Sequence, residues 1–183
     1  MKKPENFIEI ARSQNKINKI FRELKIEQYN LLMKYLHRFD KYLVPYKEYV
    51  KNEDLADFWN TVFKMSDHDR KFLPKEVHQE DWESAKYPLI KDFHFSITQD
   101  SQCTVKIAFY PNIFIHNKEL VKNFCILNNL GFSNIIEWKK KTKCLLFDFF
   151  DSMNYDMFTF DRFFDIYHNA AKYYFLHVGY DFD

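Results

Sequence analysis

Histidine and carboxylate side chains are concentrated in one stretch of the sequence, where they could bind a metal. The candidate ligands are Asp67, His68, Asp69, His78, Glu80 and Asp81. Zinc sites usually combine histidine with cysteine at compact spacings, and this half of the chain has no cysteine. Consecutive residues also seldom direct all their side chains at one ion. We therefore interpret residues 66–69 as a solvated polar cap on a short turn and predict neither a metal nor a cofactor.

The cysteines and glycines argue against an enzyme. Cys103, Cys125 and Cys144 occupy apolar positions of predicted elements, where a thiolate is disfavoured. An odd number of such cysteines is typical of a reducing compartment. With 2 glycines in 183 residues, the chain lacks the glycine-rich loop that wraps a phosphate or a dinucleotide. We predict that the protein is not an enzyme.

One pattern supports an enzymatic alternative. The tripeptide 137–139, at the end of a predicted strand, resembles the acid-x-lysine element of restriction-type nucleases. The resemblance implies that Glu137 and a second acid, Asp92 or Asp148, hold a divalent metal while Lys139 stabilises developing charge. A predicted helix at 118–130 interrupts the usual order of that fold. A metal-dependent nuclease is the least favoured interpretation.

Basic residues follow one side of the first predicted helix. They are Arg12, Lys16, Lys19 and Arg22. A helix that presents several cations can neutralise nucleic-acid phosphates. Three glutamates interrupt the row, and the sequence pI of about 7.7 lies below the value typical of such domains. Nucleic-acid binding through this helix is therefore an alternative rather than the leading hypothesis.

Acidic and aromatic residues alternate near the C-terminus. Residues 148–183 contain seven aspartates and two basic residues. Exposed rings surrounded by acids are typical of a surface that binds a basic protein. The equally favoured interpretation is that the rings cover the end of a sheet. The predicted partner-binding residues are Asp148, Asp151, Tyr155, Asp156 and Phe158, together with the basic row Arg12, Lys16, Lys19 and Arg22.

These observations favour a non-catalytic protein-binding module. We predict an inhibitor, immunity or antitoxin-like protein, of the kind that phages and mobile elements encode, which acts by stoichiometric complex formation. The expected partner is a protein, with nucleic acid as the alternative. No apolar run approaches the roughly 18 residues of a membrane span. Because an amphipathic pattern follows Asn6 directly, we expect no signal peptide. The predicted location is the cytoplasm, without a membrane partner.

Helices are predicted to position the N-terminal residues. Asn6 can cap an amphipathic helix over 7–24, which continues over 29–43 as one long bent helix or a second one and ends at Pro45. Asn52 can cap a third helix over 55–63.

Strands dominate the second half. Period-two alternation over 92–110 predicts a β-hairpin with one buried face. Further along the chain we predict a short strand at 113–115, a helix at 118–130 that ends at Gly131, a second hairpin over 133–138 and 143–150, and a helix that begins at Thr159 and ends at Gly179.

The predicted fold class is α+β. A helical region, residues 1–88, packs with a mostly antiparallel, four- to five-stranded meander sheet covered by two helices, residues 89–183, in the order β-β-(β)-α-β-β-α. We expect the two regions to form one compact unit.

Overall fold

The computed structural model describes residues 5–52, 55, 57–78, 88–98, 100–126, 130–153, 157–177 and 179. It divides the chain into two compact units, residues 1–42 and 43–183. The helices are α1 Glu5–Asn52, α2 Phe58–Ser66, α3 Leu145–Asp151, α4 Met157–His168 and α5 Ala170–His177, with a 3-10 helix at Lys75–His78. The strands are β1 Ile90–Ile97, β2 Gln102–Phe109, β3 Glu119–Cys125 and β4 Leu130–Ser133. The predicted division at residue 88 stays a prediction.

The N-terminal pattern forms a single helix of 48 residues, α1. The prediction that Pro45 ends it is wrong, because the helix continues to Asn52. A proline removes one backbone donor and crowds the carbonyl of the preceding turn, which commonly kinks a helix without ending it. The next helix, α2, begins at Phe58 after Asp57, so Asn52 does not cap it.

The four strands form an antiparallel meander in the order β1-β2-β3-β4. Phe93 of β1 pairs with Ile107 of β2, which in turn pairs with Leu120 of β3. All three side chains are buried on the same face, as the alternating pattern of the first hairpin predicts. The predicted fold class, α+β with a four-stranded antiparallel sheet, is confirmed.

The predicted helix at 118–130 is wrong, because residues 119–125 form β3. The apolar residues of this segment fit helical spacing if Lys122 faces solvent. In the structure Lys122 is buried between Leu120 and Phe124, and the segment alternates as a strand. A lysine on the inward face concealed the period of two.

Gly131 does not end a helix; it lies in β4 opposite Phe124. A Cβ atom at this position would lie 2.5 Å from Phe124 Cβ and 2.9 Å from the Asn123 carbonyl oxygen. The close approach of the two strand backbones therefore requires glycine. The predicted strand at 113–115 is reduced to an isolated bridge between Ile115 and Trp138.

The predicted second hairpin is also wrong, because its second half is the helix α3. Leu146, Phe147, Phe149 and Phe150 are buried, whereas Asp148 and Asp151 are exposed three residues apart. A short apolar run is compatible with either a buried strand or a buried helix. The predicted final helix is divided at Asn169 into α4 and α5.

Aromatic rings join the helices to the buried face of the sheet. The Phe93 ring lies edge to face with Phe63 and Trp59 of α2, at centroid distances of 5.1 and 5.3 Å. Phe163 of α4 lies 5.8 Å from Phe93 and 4.8 Å from Phe149 of α3. Such pairs add about 0.5–1.5 kcal/mol each to the burial of the rings. This packing places α3 beside the sheet.

Candidate protein-binding surface

Helix α3 carries the first two predicted partner-binding residues. Asp148 and Asp151 are exposed, while Phe149 and Phe150 between them are buried. These two rings cover the sheet, as the alternative interpretation of the segment proposed. Phe158 of α4 is 60% exposed. Tyr155 and Asp156 lie outside the described residues, and the binding role of all five stays a prediction.

Lys122 of β3 binds the C-terminal end of α3. Its buried ammonium group donates hydrogen bonds to the Phe149 carbonyl oxygen at 2.5 Å and to the Ser152 carbonyl oxygen at 2.7 Å. The Nζ atom also lies 4.5 Å from the centroid of the Phe149 ring. The last carbonyl groups of a helix need partners and favour a cation. Lys122 therefore positions the surface on which Asp151 lies.

A groove opens between β4 and the end of α3. The Gly131 N–H donates to the Met153 carbonyl oxygen at 3.2 Å, and the Ser133 hydroxyl donates to the Phe150 carbonyl oxygen. These bonds hold residues 150–153 beside residues 131–136 and leave a cavity of about 220 Å³. The sequence signal is the group of apolar residues within 132–136, a segment that is predicted to be a helix end followed by a strand.

Three apolar side chains at this groove are largely exposed. The exposed fractions are 73% for Phe132, 85% for Ile135 and 82% for Met153. The groove also contacts the buried residues Ile136 and Phe150, and Asp151 is the charged residue in its wall. Contiguous exposed apolar surface with a polar rim is typical of an interaction site.

Helix α1 presents two surfaces. Arg12, Lys16 and Lys19 are exposed, and Lys19 lies 3.8 Å from Glu23, so part of the row is neutralised. The Arg22 side chain lies outside the described residues. A separate stripe of exposed apolar residues runs along the helix: Ile10, Ile17, Phe21, Leu24, Leu31 and Tyr35.

This apolar stripe follows a seven-residue repeat. The first core position of the repeat is occupied by Ile10, Ile17, Leu24 and Leu31, which are spaced by seven residues. The second core position, four residues later in each heptad, is occupied by Gln14, Phe21, Gln28 and Tyr35. Spacings of four and three alternate along the stripe, as they do at the seam of a coiled coil. The seven-residue repeat was not among the predictions, although the sequence contains it.

The predicted solvated cap at residues 66–69 is wrong at Asp67, which is buried at the centre of a hydrogen-bonded turn. The Asp67 carboxylate accepts backbone hydrogen bonds from Lys71 and Phe72 at 3.0 Å and from Leu73 at 2.9 Å. Burial alone raises its pKa, but the hydrogen bonds from Leu73, Phe72 and His78 outweigh burial and lower the pKa below its ordinary value. The carboxylate therefore fixes the backbone of residues 71–73 beside the end of α2.

Of the other residues of this candidate metal cluster, His78 contacts Asp67, with Nε2 2.8 Å from Oδ2, and the remaining described residues are dispersed. His68 and Asp69 are exposed, and Asp69 lies 3.3 Å from Arg162. Glu80 and Asp81 lie outside the described residues. Within the part of the chain that the structure describes, no three histidine, cysteine or acidic side chains converge as metal ligands.

The geometry does not assemble the proposed nuclease site. Glu137 is exposed in a segment that belongs to no strand, and its N–H donates to Asn117 Oδ1 at 2.7 Å. Lys139 Nζ donates to the Asn112 carbonyl oxygen at 2.9 Å. Asp148 lies on a helix instead of a neighbouring strand, so the arrangement that the resemblance implies is wrong.

The thiols lie in surroundings that disfavour a nucleophile. Cys103 and Cys144 are buried, and Cys125 is half-buried. Burial raises the pKa of Cys144 to about 12 and raises the pKa of Cys103 further still.

Among the helices of the described residues, none has the length and apolar character needed to cross a bilayer.

Solved structures of nucleosome assembly proteins have a similar fold. Nucleosome assembly protein S from Plasmodium falciparum aligns over 92% of this chain and 99% of its own, with a TM-score of 0.53 and 15% identity. Nucleosome assembly protein 1 from Plasmodium knowlesi aligns over 95% of this chain and 98% of its own, with a TM-score of 0.48 and 16% identity. No protein-family model and no curated protein matches the sequence.

This comparison corrects the predicted functional class. The prediction of an inhibitor, immunity or antitoxin-like protein is wrong, because the solved structure that resembles this chain at a TM-score of 0.53 is a nucleosome assembly protein. The comparison also gives no support to nucleic-acid binding through the basic side of α1. At these identities the likeness concerns the fold, and the site must be argued from the residues of this chain.

Proposed function

We propose that this protein is a histone-binding chaperone that acts in nucleosome assembly. The observation that carries the proposal is the fold likeness to nucleosome assembly protein S, which extends over nearly the whole of both chains at a TM-score of 0.53. In this function the protein binds its partner stoichiometrically and performs no covalent chemistry.

The surface charge of the second unit suits a basic partner. Asp148, Asp151 and Asp161 are exposed on the neighbouring helices α3 and α4. Histones are rich in arginine and lysine because they bind the DNA backbone. An exposed acidic surface attracts such a partner and accelerates association. These aspartates retain the role predicted for Asp148 and Asp151, now with a histone as the basic partner.

In this proposal the apolar stripe of α1 binds a second copy of the same chain. Its repeat is self-complementary: in an antiparallel pair centred between residues 22 and 23, Phe21 of one copy faces Leu24 of the other, and Ile10 faces Tyr35. Arg12 and Lys19 lie on the opposite side of the helix, so two copies meet without bringing these cations together.

Histone binding and deposition test this function. The purified chain is mixed with recombinant core histones at about 150 mM salt, a range in which non-specific charge contacts are screened beyond about 8 Å. The mixture is then added to relaxed circular DNA. We expect a complex of defined stoichiometry and DNA supercoiling that depends on the protein. The absence of a histone complex would refute the proposal.

Charge reversal on α3 provides the matched comparison. Replacing both aspartates, Asp148→Lys with Asp151→Lys, should weaken histone binding about tenfold or more, since removing attractive charges and adding repulsive ones costs more than 1.4 kcal/mol. Asp100→Lys reverses an exposed charge in the turn between β1 and β2, two strands from β4, and should change binding much less.

A further inference from the structure

The groove between β4 and the end of α3 is built to receive one side chain of a partner. We infer that it binds a large apolar residue within a basic, extended segment of a histone, an inference that rests on the proposed function. Phe132, Ile135 and Met153 form the exposed apolar surface, and Asp151 supplies the charge.

The size of the groove favours a side chain over a small-molecule ligand. Its volume of about 220 Å³ is below the roughly 300–1,000 Å³ of small-molecule sites. A single leucine, methionine or phenylalanine side chain fits a space of this size. Buried apolar anchors in pockets of this kind contribute a large share of the affinity of protein interfaces.

The walls of the groove are held in place by the fold. Lys122 fixes the carbonyl groups of Phe149 and Ser152 from below, and the Gly131 N–H is bonded to the Met153 carbonyl oxygen. A preformed groove loses little conformational entropy when a partner binds, so the exposed apolar side chains contribute directly to affinity.

The charges around the groove identify the kind of occupant. Asp151 lies in the wall, Asp148 is exposed one turn earlier on the same helix, and exposed Glu137 directly follows Ile136. Carboxylates beside an apolar groove favour a segment in which lysine or arginine flanks the anchoring residue. A strongly acidic or uncharged segment would leave these carboxylates without complementary charge.

Histone binding by variants of the full-length protein tests the groove. The probe is a fluorescently labelled core histone complex, and the groove variant combines Phe132→Ser with Ile135→Ser. Both side chains are more than two-thirds exposed, so the substitutions remove docking surface with little loss of core. The matched control is Ile113→Ser, which removes a 45% exposed apolar side chain from the loop after β2.

We expect the groove variant to bind histone about tenfold more weakly or worse and the control to stay within about twofold. The variant Asp151→Asn should also weaken binding and reduce its dependence on salt. A photo-reactive residue introduced at position 135 should cross-link to a histone segment that contains lysine or arginine, whereas the same residue at position 113 should not.

The outcomes separate the inference from the proposed function. If the unmodified protein binds histones and the groove variant binds them equally well, the groove inference fails and the proposed function stands. If the unmodified protein binds no histone, both fail. Equal losses in the groove variant and the control, or cross-links from position 135 to a second copy of this chain alone, would also overturn the inference.

Discussion

His78 Nε2 lies 2.8 Å from Asp67 Oδ2, a contact that joins the 3-10 helix to the turn after α2. Asp67 is 2% exposed and also accepts three backbone N–H groups from residues 71–73. The same turn reaches α3, because the Leu145 N–H donates to the Lys71 carbonyl oxygen at 3.1 Å. One buried carboxylate thus connects α2 to the helix that carries the proposed binding surface.

The variant Asp67→Asn should unfold at lower urea concentration. An amide offers one acceptor oxygen and directs an NH₂ group at the remaining donors, so we expect a loss of about 2–4 kcal/mol in the free energy of unfolding at pH 7. Asp69→Asn, which alters a partly exposed pair with Arg162, should cost about 1 kcal/mol or less. Similar losses in the two variants would contradict the central role of Asp67.

The contribution of Asp67 should depend on pH in a definite direction. Its pKa is lower in the folded protein than its ordinary value of about 3.9, so the unfolded chain binds the proton first as the pH falls. The stabilisation is therefore complete above the unfolded pKa and is lost as the pH falls through the folded pKa. Urea unfolding measures the free energy of unfolding of the unmodified protein and of Asp67→Asn from about pH 6 to pH 3. The difference between the two free energies should shrink as the pH falls, and a constant difference would contradict the lowered pKa of Asp67.

Replacing Lys122 by methionine should destabilise the protein more than its volume change suggests. Methionine keeps apolar contact with Phe149 but cannot donate to the carbonyl groups of Phe149 and Ser152. We expect a loss of about 3 kcal/mol and a decrease in Tm of about 6–12 °C by thermal unfolding. In the control Lys106→Met, which removes a half-exposed pair with Glu119, the loss should be about 1 kcal/mol or less. A Tm shift no larger than that of the control would disprove the role of Lys122.

Alanine at position 131 should disturb the pairing of β4 with β3. The added methyl group would meet Phe124 Cβ at 2.5 Å, and relieving that overlap should cost about 1–3 kcal/mol. Amide hydrogen exchange in β4 should become faster. Gly179→Ala meets no atom within 4 Å and acts only through its positive φ of 78°, so β4 exchange should stay unchanged in that variant. Unaltered exchange in Gly131→Ala would contradict the close approach.

Aspartate residues in the apolar stripe of α1 should yield a monomer. The double change Phe21→Asp with Leu24→Asp places charges where the proposed two copies meet, which should disfavour association by several kcal/mol. Ile26→Asp is the matched control, because Ile26 is also exposed but lies on the other side of the helix. Sedimentation equilibrium should show a dimer for the unmodified protein and the control; a monomeric unmodified protein would refute the pairing.

The first hairpin and the fold class could be predicted because their cause is local. Between residues 92 and 110 the alternation of apolar and polar side chains matches the two faces of a strand, and Phe93 and Ile107 are buried as that pattern requires. The heptads of α1 are local in the same sense. The exposed positions of Asp148 and Asp151 likewise follow once α3 is known to be a helix, since they lie three residues apart.

The candidate groove could not be predicted, since it depends on contacts between distant residues. Lys122 is buried in a strand because the carbonyl groups of Phe149 and Ser152, 27 and 30 residues further along the chain, accept its hydrogen bonds. Without those partners a lysine belongs on the surface, and the segment fits a helix. The sequence by itself determined which short segments have a buried face. Only the tertiary structure decided how β3, β4 and α3 meet, because the burial of a charged or ambiguous side chain is favourable only beside partners that local periodicity does not reveal.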